Sequence, residues 1–199
     1  MISETKLVGK AVTVYGASSP LIDDVYLDAA REVGRLLAEK GIELVCGGGR
    51  TGIMGAAIEG SVEAGGTAIG VLPGFMVERG WQHPCLSRME VTADMHSRKE
   101  LMARMARGVI AMPGGVGTLE ELLEIITWHQ LGLYSGHVVI LNIKGYYDPL
   151  LEMLARSIEC RFMNPDHSSL WHVADSPRDA VDYVLNTPVI KKPFTQKIR

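Results

Sequence analysis

The sequence predicts an α/β fold: a single domain built on a doubly wound parallel sheet with helices on both faces. Three observations predict it. Short apolar runs alternate with segments of helical period, the runs are almost free of polar residues, and glycine-rich turns follow three of them. A strand that is apolar on both sides is buried on both sides, which is the signature of a parallel sheet between two helical layers. Right-handed crossovers then wind the chain in both directions from a central strand.

The elements follow in order. Ala11–Tyr15 (AVTVY) is a buried strand. Asp23–Lys40 is a helix, with Leu27, Ala30, Val33, Leu36 and Leu37 near helical spacing and Gly41 as its stop. Ile42–Cys46 is the second strand, and Gly52–Ala64 a helix of small residues closed by Gly65-Gly66. Thr67–Leu72 is a third strand. Pro73–Ala93 lacks a clean period and is expected as an irregular active-site loop. Asp94 can cap a helix running to about Arg107. Val109–Met112 is a strand, Gly117–Leu131 a helix, Val138–Ile143 a strand and Tyr147–Cys160 a helix. Leu170–Val173 is expected as a short last strand before a helix at Pro177–Leu185. No internal repeat or linker divides the 199 residues, so one domain spans residues 1–199, with its core at about 11–185.

Composition removes several classes of function. Twenty basic and 23 acidic residues give a formal charge of −3, and no basic stripe precedes the tail residues Lys191, Lys192, Lys197 and Arg199. That balance argues against a nucleic-acid partner. No run of about 18 apolar residues exists to span a membrane, and the segment MISETKLVGK has no apolar signal-peptide core. Cys46, Cys85 and Cys160 are odd in number and widely spaced, so a reducing, cytoplasmic setting is expected. No His, Cys or Asp cluster has metal-ligand spacing. The six histidines are scattered and read as structural or surface residues, with His96 close enough to Arg98 to touch the site.

Three strand ends carry small or glycine residues: Gly16-Ala17-Ser18-Ser19-Pro20, Gly47-Gly48-Gly49-Arg50-Thr51-Gly52 and Pro113-Gly114-Gly115-Val116-Gly117-Thr118. Glycine lets backbone approach a phosphate, and a following helix offers free N–H groups and a partial positive charge. Each loop alone is as well explained as a tight turn. Three on one sheet edge favour a phosphate or nucleotide site. The second loop fits G-x-G-x-x-G, but Ile69-Gly70-Val71-Leu72 ends without the acidic residue of a dinucleotide site.

Two charges fall on apolar helical lines. Glu121 aligns with Ile125 and Trp128, and Arg98 with Leu101, Met102 and Met105. Burying a lone charge is costly, so each must be paired or functional. One reading is a structural Arg98–Glu121 ion pair. The other places both in the cleft, with Arg98 on a phosphate or ribose and Glu121 acting on the sugar.

The stretch Pro113-Gly114-Gly115-Val116-Gly117-Thr118-Leu119-Glu120-Glu121 meets the signature P-G-G-x-G-T-x-x-E in full, and Arg98-Lys99 supplies the upstream basic pair. With the Gly47–Gly49 loop, Gly52, Met54-Gly55, Thr127-Trp128, Asn142 and Gly145-Tyr146-Tyr147, the chain resembles the Lonely Guy family of cytokinin-riboside-monophosphate phosphoribohydrolases. The resemblance runs from about Ala11 to Leu185 and implies a Rossmann-like fold, a homodimer, and release of a free base from a nucleoside 5′-monophosphate. It implies Arg98 and Glu121 as the catalytic pair. Gly114, Gly115, Gly117 and Thr118 would bind the phosphate, and Lys99 and Glu120 would help bind substrate. Gly16, Ser18, Gly47, Gly48 and Gly49 complete the expected binding edge. Neither metal nor cofactor is needed. Pro73–Arg88 departs from the plant members, with Glu78 the candidate for a substrate-binding glutamate there. The lysine decarboxylase label often given to such proteins is set aside, because no pyridoxal-phosphate lysine site is evident. Rival readings are a molybdenum-cofactor carrier of the same fold, a general AMP nucleosidase, and a nucleic-acid-processing protein.

Overall fold

A computed structural model describes residues 11–188. The tail cations Lys191, Lys192, Lys197 and Arg199 and the amino-terminal segment 1–10 lie outside the described residues. Seven strands form one sheet: β1 (Ala11–Tyr15), β2 (Glu43–Cys46), β3 (Ala68–Pro73), β4 (Arg88–Thr92), β5 (Ala106–Ala111), β6 (His137–Leu141) and β7 (His172–Ala174). Every pairing is parallel, in the order β4-β3-β2-β1-β5-β6-β7. Winding reverses between β1 and β5, so the loops leaving these two strands part and open a crevice at the sheet's carboxyl edge.

The helices are α1 (Asp24–Glu39), α2 (Gly52–Glu63), α3 (Gly74–Glu78), α4 (Met95–Met105), α5 (Val116–Gln130), α6 (Asp148–Glu159) and α7 (Pro177–Asn186). Side chains alternate across a strand, and the core is accordingly two clusters. Val12, Val14, Leu44, Cys46, Ile110 and Leu141 point to the layer of α1, α2 and α7. Val45, Val71, Val109, Ala111 and Ile140 point to the layer of α4 and α5. The buried hydroxyl of Thr13 donates to the Met102 carbonyl at 2.9 Å and ties β1 to α4.

Three stretches differ most from the sequence expectation. The segment 73–93 is not an irregular loop throughout, because it contains α3 and the edge strand β4. β4 pairs on one side only and keeps Met89 and Val91 partly in water, so Arg88-Met89-Glu90-Val91-Thr92 lacks the apolar run of a central strand. The helix from Asp94 stops at Met105 rather than Arg107, since Ala106 and Arg107 already belong to β5. The last strand is His172–Ala174, and Leu170 is instead buried at the end of a 3₁₀ turn.

α1 and α2 cross at backbone contact through two glycines. A Cβ on Gly34 would lie 2.1 Å from the Ala57 carbonyl oxygen, and one on Gly60 would lie 2.1 Å from that of Arg31. Backbone cannot step aside as a flexible side chain can. Gly34→Ala is therefore expected to destabilise the fold by about 2 kcal/mol, within the usual range for overpacking. Urea unfolding of the two proteins measures it, and equal midpoints would show that the helices separate freely.

Candidate active site

The crevice encloses about 830 Å³. Gly16, Ala17, Ser18 and Ser19 line it from β1, and Gly47, Gly49, Arg50 and Thr51 from β2. Gly115, Val116, Gly117, Thr118, Glu120 and Glu121 close it from α5, and Met95 and Arg98 from α4. Leu72, Met54, Met76, Gly80 and Trp81 complete the wall.

The two glycine-rich helix entries are not equivalent. At α2 the Ile53 N–H donates to the Ala17 carbonyl at 2.8 Å, and the Thr51 hydroxyl donates to the Ser18 carbonyl at 2.6 Å. That helix terminus is occupied by the chain itself. At α5 the first intrahelical bond of the loop is from Leu119 N–H to the Gly115 carbonyl, 3.0 Å. The N–H groups of Val116, Gly117 and Thr118 precede it and have no carbonyl of their own helix to bond. A Cβ on Gly115 or Gly117 would meet nothing within 4 Å, and residues 115–118 all line the crevice. The positive end of α5 thus faces the crevice with free N–H donors, which suits an anion.

Arg98 sits one turn into α4. The helix starts with a reciprocal cap, in which Asp94 accepts from the Ser97 N–H at 2.8 Å and its own N–H donates to the Ser97 hydroxyl at 3.2 Å. From there the Arg98 side chain runs under the β2 loop and is only 7% exposed. Its Nε donates to the Val71 carbonyl at 3.0 Å. A Cβ on Gly47 would lie 1.9 Å from its Nη2, so Gly47 is the space the guanidinium fills. Nη1 lies 3.9 Å from Glu121 Oε1. Burial raises the Glu121 carboxyl from an ordinary 4.5 to about 7. Arg98 and Lys99 pull it down and Glu120 and Glu124 push it up, but desolvation is the larger effect. The carboxyl is therefore shared between its acid and base forms near neutrality. Proximity of Arg98 alone does not keep it ionised.

Other expected residues lie elsewhere. Gly48 is outside the crevice wall. It has a φ of +68°, and a Cβ there would meet Leu72 Cδ1 at 2.4 Å. Gly114 is also outside the wall. A Cβ would strike the Thr118 hydroxyl at 2.1 Å, and its carbonyl accepts from the Tyr146 hydroxyl at 2.7 Å. Lys99 turns away to α5, where its Nζ bonds Glu120 and lies 3.0 Å from Glu124 Oε2. Burial works against this ammonium, but its bonds to Glu120 and Glu124 prevail and hold it above its usual range. Glu78 is exposed and outside the wall. His96 likewise does not line the crevice. Trp128 is partly buried against the core, whereas Leu131 is 62% exposed. Cys46 is buried, and desolvation pushes its thiol up to about 11, which makes it a core residue rather than a nucleophile. The match at Asn142 and Gly145-Tyr146-Tyr147 has a structural cause. Asn142 accepts from the Tyr147 N–H at 2.7 Å, and the two tyrosine hydroxyls bond the Gly114 and Met112 carbonyls beneath the third loop.

Sequence reasoning missed the apolar wall of Met54, Leu72, Met76, Trp81 and Met95. Residues 79–86 cross the β2 loop as a strap. Gln82 bridges Gly49, His83 N–H donates to the Gly48 carbonyl at 2.9 Å, and Arg50 donates to the Gly80 carbonyl at 3.1 Å. The Arg79 guanidinium lies 5.2 Å from the Trp81 ring and 5.7 Å from that of Phe75. The aromatic residues Phe75 and Trp81 within the aperiodic segment 73–93 were a signal in the sequence.

Comparison with known proteins identifies relatives of the chain. A family described as possible lysine decarboxylase matches residues 54–184. The cytokinin riboside 5′-monophosphate phosphoribohydrolase LOG7 of Arabidopsis thaliana is 40% identical over 164 residues, covering 82% of this chain and 76% of that one. The probable cytokinin riboside 5′-monophosphate phosphoribohydrolase LOGL2 of Oryza sativa subsp. japonica is 38% identical over 173 residues, covering 87% and 71%. Among solved structures, the molybdenum cofactor carrier protein of Chlamydomonas reinhardtii superposes with a TM-score of 0.69 at 26% identity, covering 89% of this chain and 97% of that one.

The raised Glu121 carboxyl links stability to pH. Below 4.5 the group holds its proton in both folded and unfolded chains. As pH rises from 4.5 to about 7, the unfolded chain releases the proton while the folded one keeps it, so stability falls, then levels off. The gap corresponds to about 3 kcal/mol. Glu121→Gln has no proton to lose. It is expected to be more stable than wild type by about that amount at pH 8 and equal to it at pH 4 in urea unfolding. A difference independent of pH would show that Glu121 is not desolvated.

Proposed function

The chain belongs to the family of these cytokinin riboside 5′-monophosphate phosphoribohydrolases, and from that membership we propose that it hydrolyses the N-glycosidic bond of a nucleoside 5′-monophosphate. The products are a free base and ribose 5-phosphate. One observation carries the reading: a buried Arg98–Glu121 pair faces the crevice beside the open, positive end of α5.

In this reading the phosphate lies at the N–H groups of Val116, Gly117 and Thr118, with Gly16, Ser18 and Ser19 across from it. Arg98 is the cation nearest the reacting sugar. As the bond to the base lengthens, positive charge builds on the ribose, and the Glu121 carboxylate stabilises it from close by. Water then adds to the anomeric carbon and gives a proton to Glu121. The base leaves with the bonding pair and takes a proton from solvent. Binding of the phosphate holds the sugar in register, so remote contacts serve the step at the anomeric carbon. The apolar wall of Met54, Met76, Trp81 and Met95 receives the base. The enzyme acts in the cytoplasm as a homodimer, which would cover the exposed apolar side chains Leu123 in α5 and Leu131 and Leu133 just beyond it.

The structural likeness to a molybdenum cofactor carrier supports a second reading, in which the same crevice holds a pterin and releases no base. A panel of nucleoside 5′-monophosphates, AMP and isopentenyladenosine monophosphate included, separates the two. Wild type is expected to release base and ribose 5-phosphate, and Glu121→Gln to lose at least about 100-fold in kcat. For wild type, kcat/KM reports the free enzyme and is expected to fall about tenfold per pH unit below a midpoint near 7. Activity that rises as pH falls would instead make protonated Glu121 a general acid. Pterin binding without base release would favour the carrier.

Trp81 generates a separate expectation. Its ring offers a flat apolar surface in the crevice wall, with the Arg79 guanidinium beside it. Trp81→Ala is expected to lower kcat/KM for isopentenyladenosine monophosphate about tenfold more than for the 5′-monophosphates of nucleosides with smaller bases. Equal losses across the panel would remove the strap from base selection.

A further inference from the structure

We propose that Lys99 is a positioning residue and not a substrate ligand: it clamps α4 to α5 through Glu120 and Glu124 and so holds Arg98 opposite Glu121. The inference rests on the role of Glu121 given above and goes beyond it.

The geometry is specific. Arg98 and Lys99 are neighbours on α4, but consecutive helical residues diverge. Arg98 passes under the β2 loop to Val71, whereas Lys99 reaches α5. There its ammonium lies between two carboxylates one helical turn apart, bonding Glu120 and lying 3.0 Å from Glu124. Lys99 is 5% exposed, so its charge is satisfied inside the protein. Moving it to a phosphate would leave Glu120 and Glu124, which are partly exposed, facing each other without their counter-ion, and would cost the buried ammonium both of its partners. Lys99 is also absent from the crevice wall, although Glu120 is part of it. Glu121 stands between Glu120 and Glu124 on the helix. Fixing those two fixes the rotation of the first turns of α5, and with it the direction in which Glu121 projects.

The clamp also sets the local field. Glu121 feels Arg98 and Lys99 from α4, and Glu120 and Glu124 from its own helix. Tyr15 at the end of β1, Cys46 at the end of β2 and Tyr147 ahead of α6 couple to it as neutral groups. Lys99 counters the two carboxylates nearest in sequence. Without it, Glu121 sits in a more negative surrounding and holds its proton to higher pH.

Kinetics of Lys99→Met, Lys99→Arg and the double variant Glu120→Gln/Glu124→Gln test this on the best nucleotide of the panel. For Lys99→Met, kcat is expected to fall about tenfold or more, as for a misplaced catalytic group. KM changes by less than about threefold, and the acid limb of kcat/KM moves to higher pH. Lys99→Arg restores most of the rate and the position of the limb. The double variant loses rate as well, but its limb moves to lower pH, and it serves if Lys99→Met does not fold. A KM raised more than about tenfold with unchanged kcat and an unmoved limb would make Lys99 a phosphate ligand and overturn the proposal. If wild type turns over no nucleotide, the functional reading has failed, and unfolding still decides. The pH range over which Glu121→Gln differs in stability from its parent must then be higher in the Lys99→Met background, and an unchanged range would overturn the clamp.

Discussion

A guanidinium cannot leave water alone, and the carboxyl edge of the sheet is organised around that constraint. Arg98 is almost fully buried, so each direction around it needs a partner or a space. The Val71 carbonyl of β3 takes its Nε, Gly47 of β2 yields the volume, and Glu121 of α5 stands across from Nη1. One side chain thereby fixes the relation of two strands and two helices. The price appears at Glu121, whose carboxyl is desolvated more than its neighbour can compensate.

This explains the division of labour among the glycine loops. All three follow parallel strands at the same edge, and each has a different task. The first supplies Ala17, whose carbonyl occupies the end of α2 and whose N–H donates to the Pro113 carbonyl at 3.1 Å. The second makes room for Arg98. The third leaves its helix terminus unoccupied and is braced from below by Tyr146 and Tyr147. The one open terminus is therefore adjacent to the one buried carboxyl in the crevice wall. In the proposed function this adjacency is what would hold a phosphate and a ribosyl carbon together.

Much of this was legible in the residues. Apolar runs located the central strands, because a strand covered on both faces has no polar alternation to disguise it. Helical spacing brought out Arg98 and Glu121, since each lies on the line of its helix's core residues. β4 was not legible, because an edge strand half in water carries Arg88 and Glu90 and resembles a loop. The end of α4 had no glycine or proline to mark it, so Ala106 passed silently from helix to strand. The partner of Lys99 was hidden for another reason. It depends on how α4 and α5 are rotated against each other, which is a property of tertiary packing. The apolar wall comes from α2, β3, α3, the strap and α4, five pieces of chain that no local pattern connects.

The strap over the β2 loop has a consequence for how such a site can diversify. Residues 79–86 hold the β2 loop largely through main-chain groups: the Gly49–Gln82 bridge, the His83 N–H and the Gly80 carbonyl. Backbone bonds of this kind survive a change of side chain. Phe75, Met76 and Trp81 can therefore drift in sequence while Arg98, Glu121 and the α5 terminus stay in place. If the proposed roles hold, bond cleavage and the identity of the leaving group lie on separable stretches of the chain, and one inherited reaction centre could serve a succession of bases.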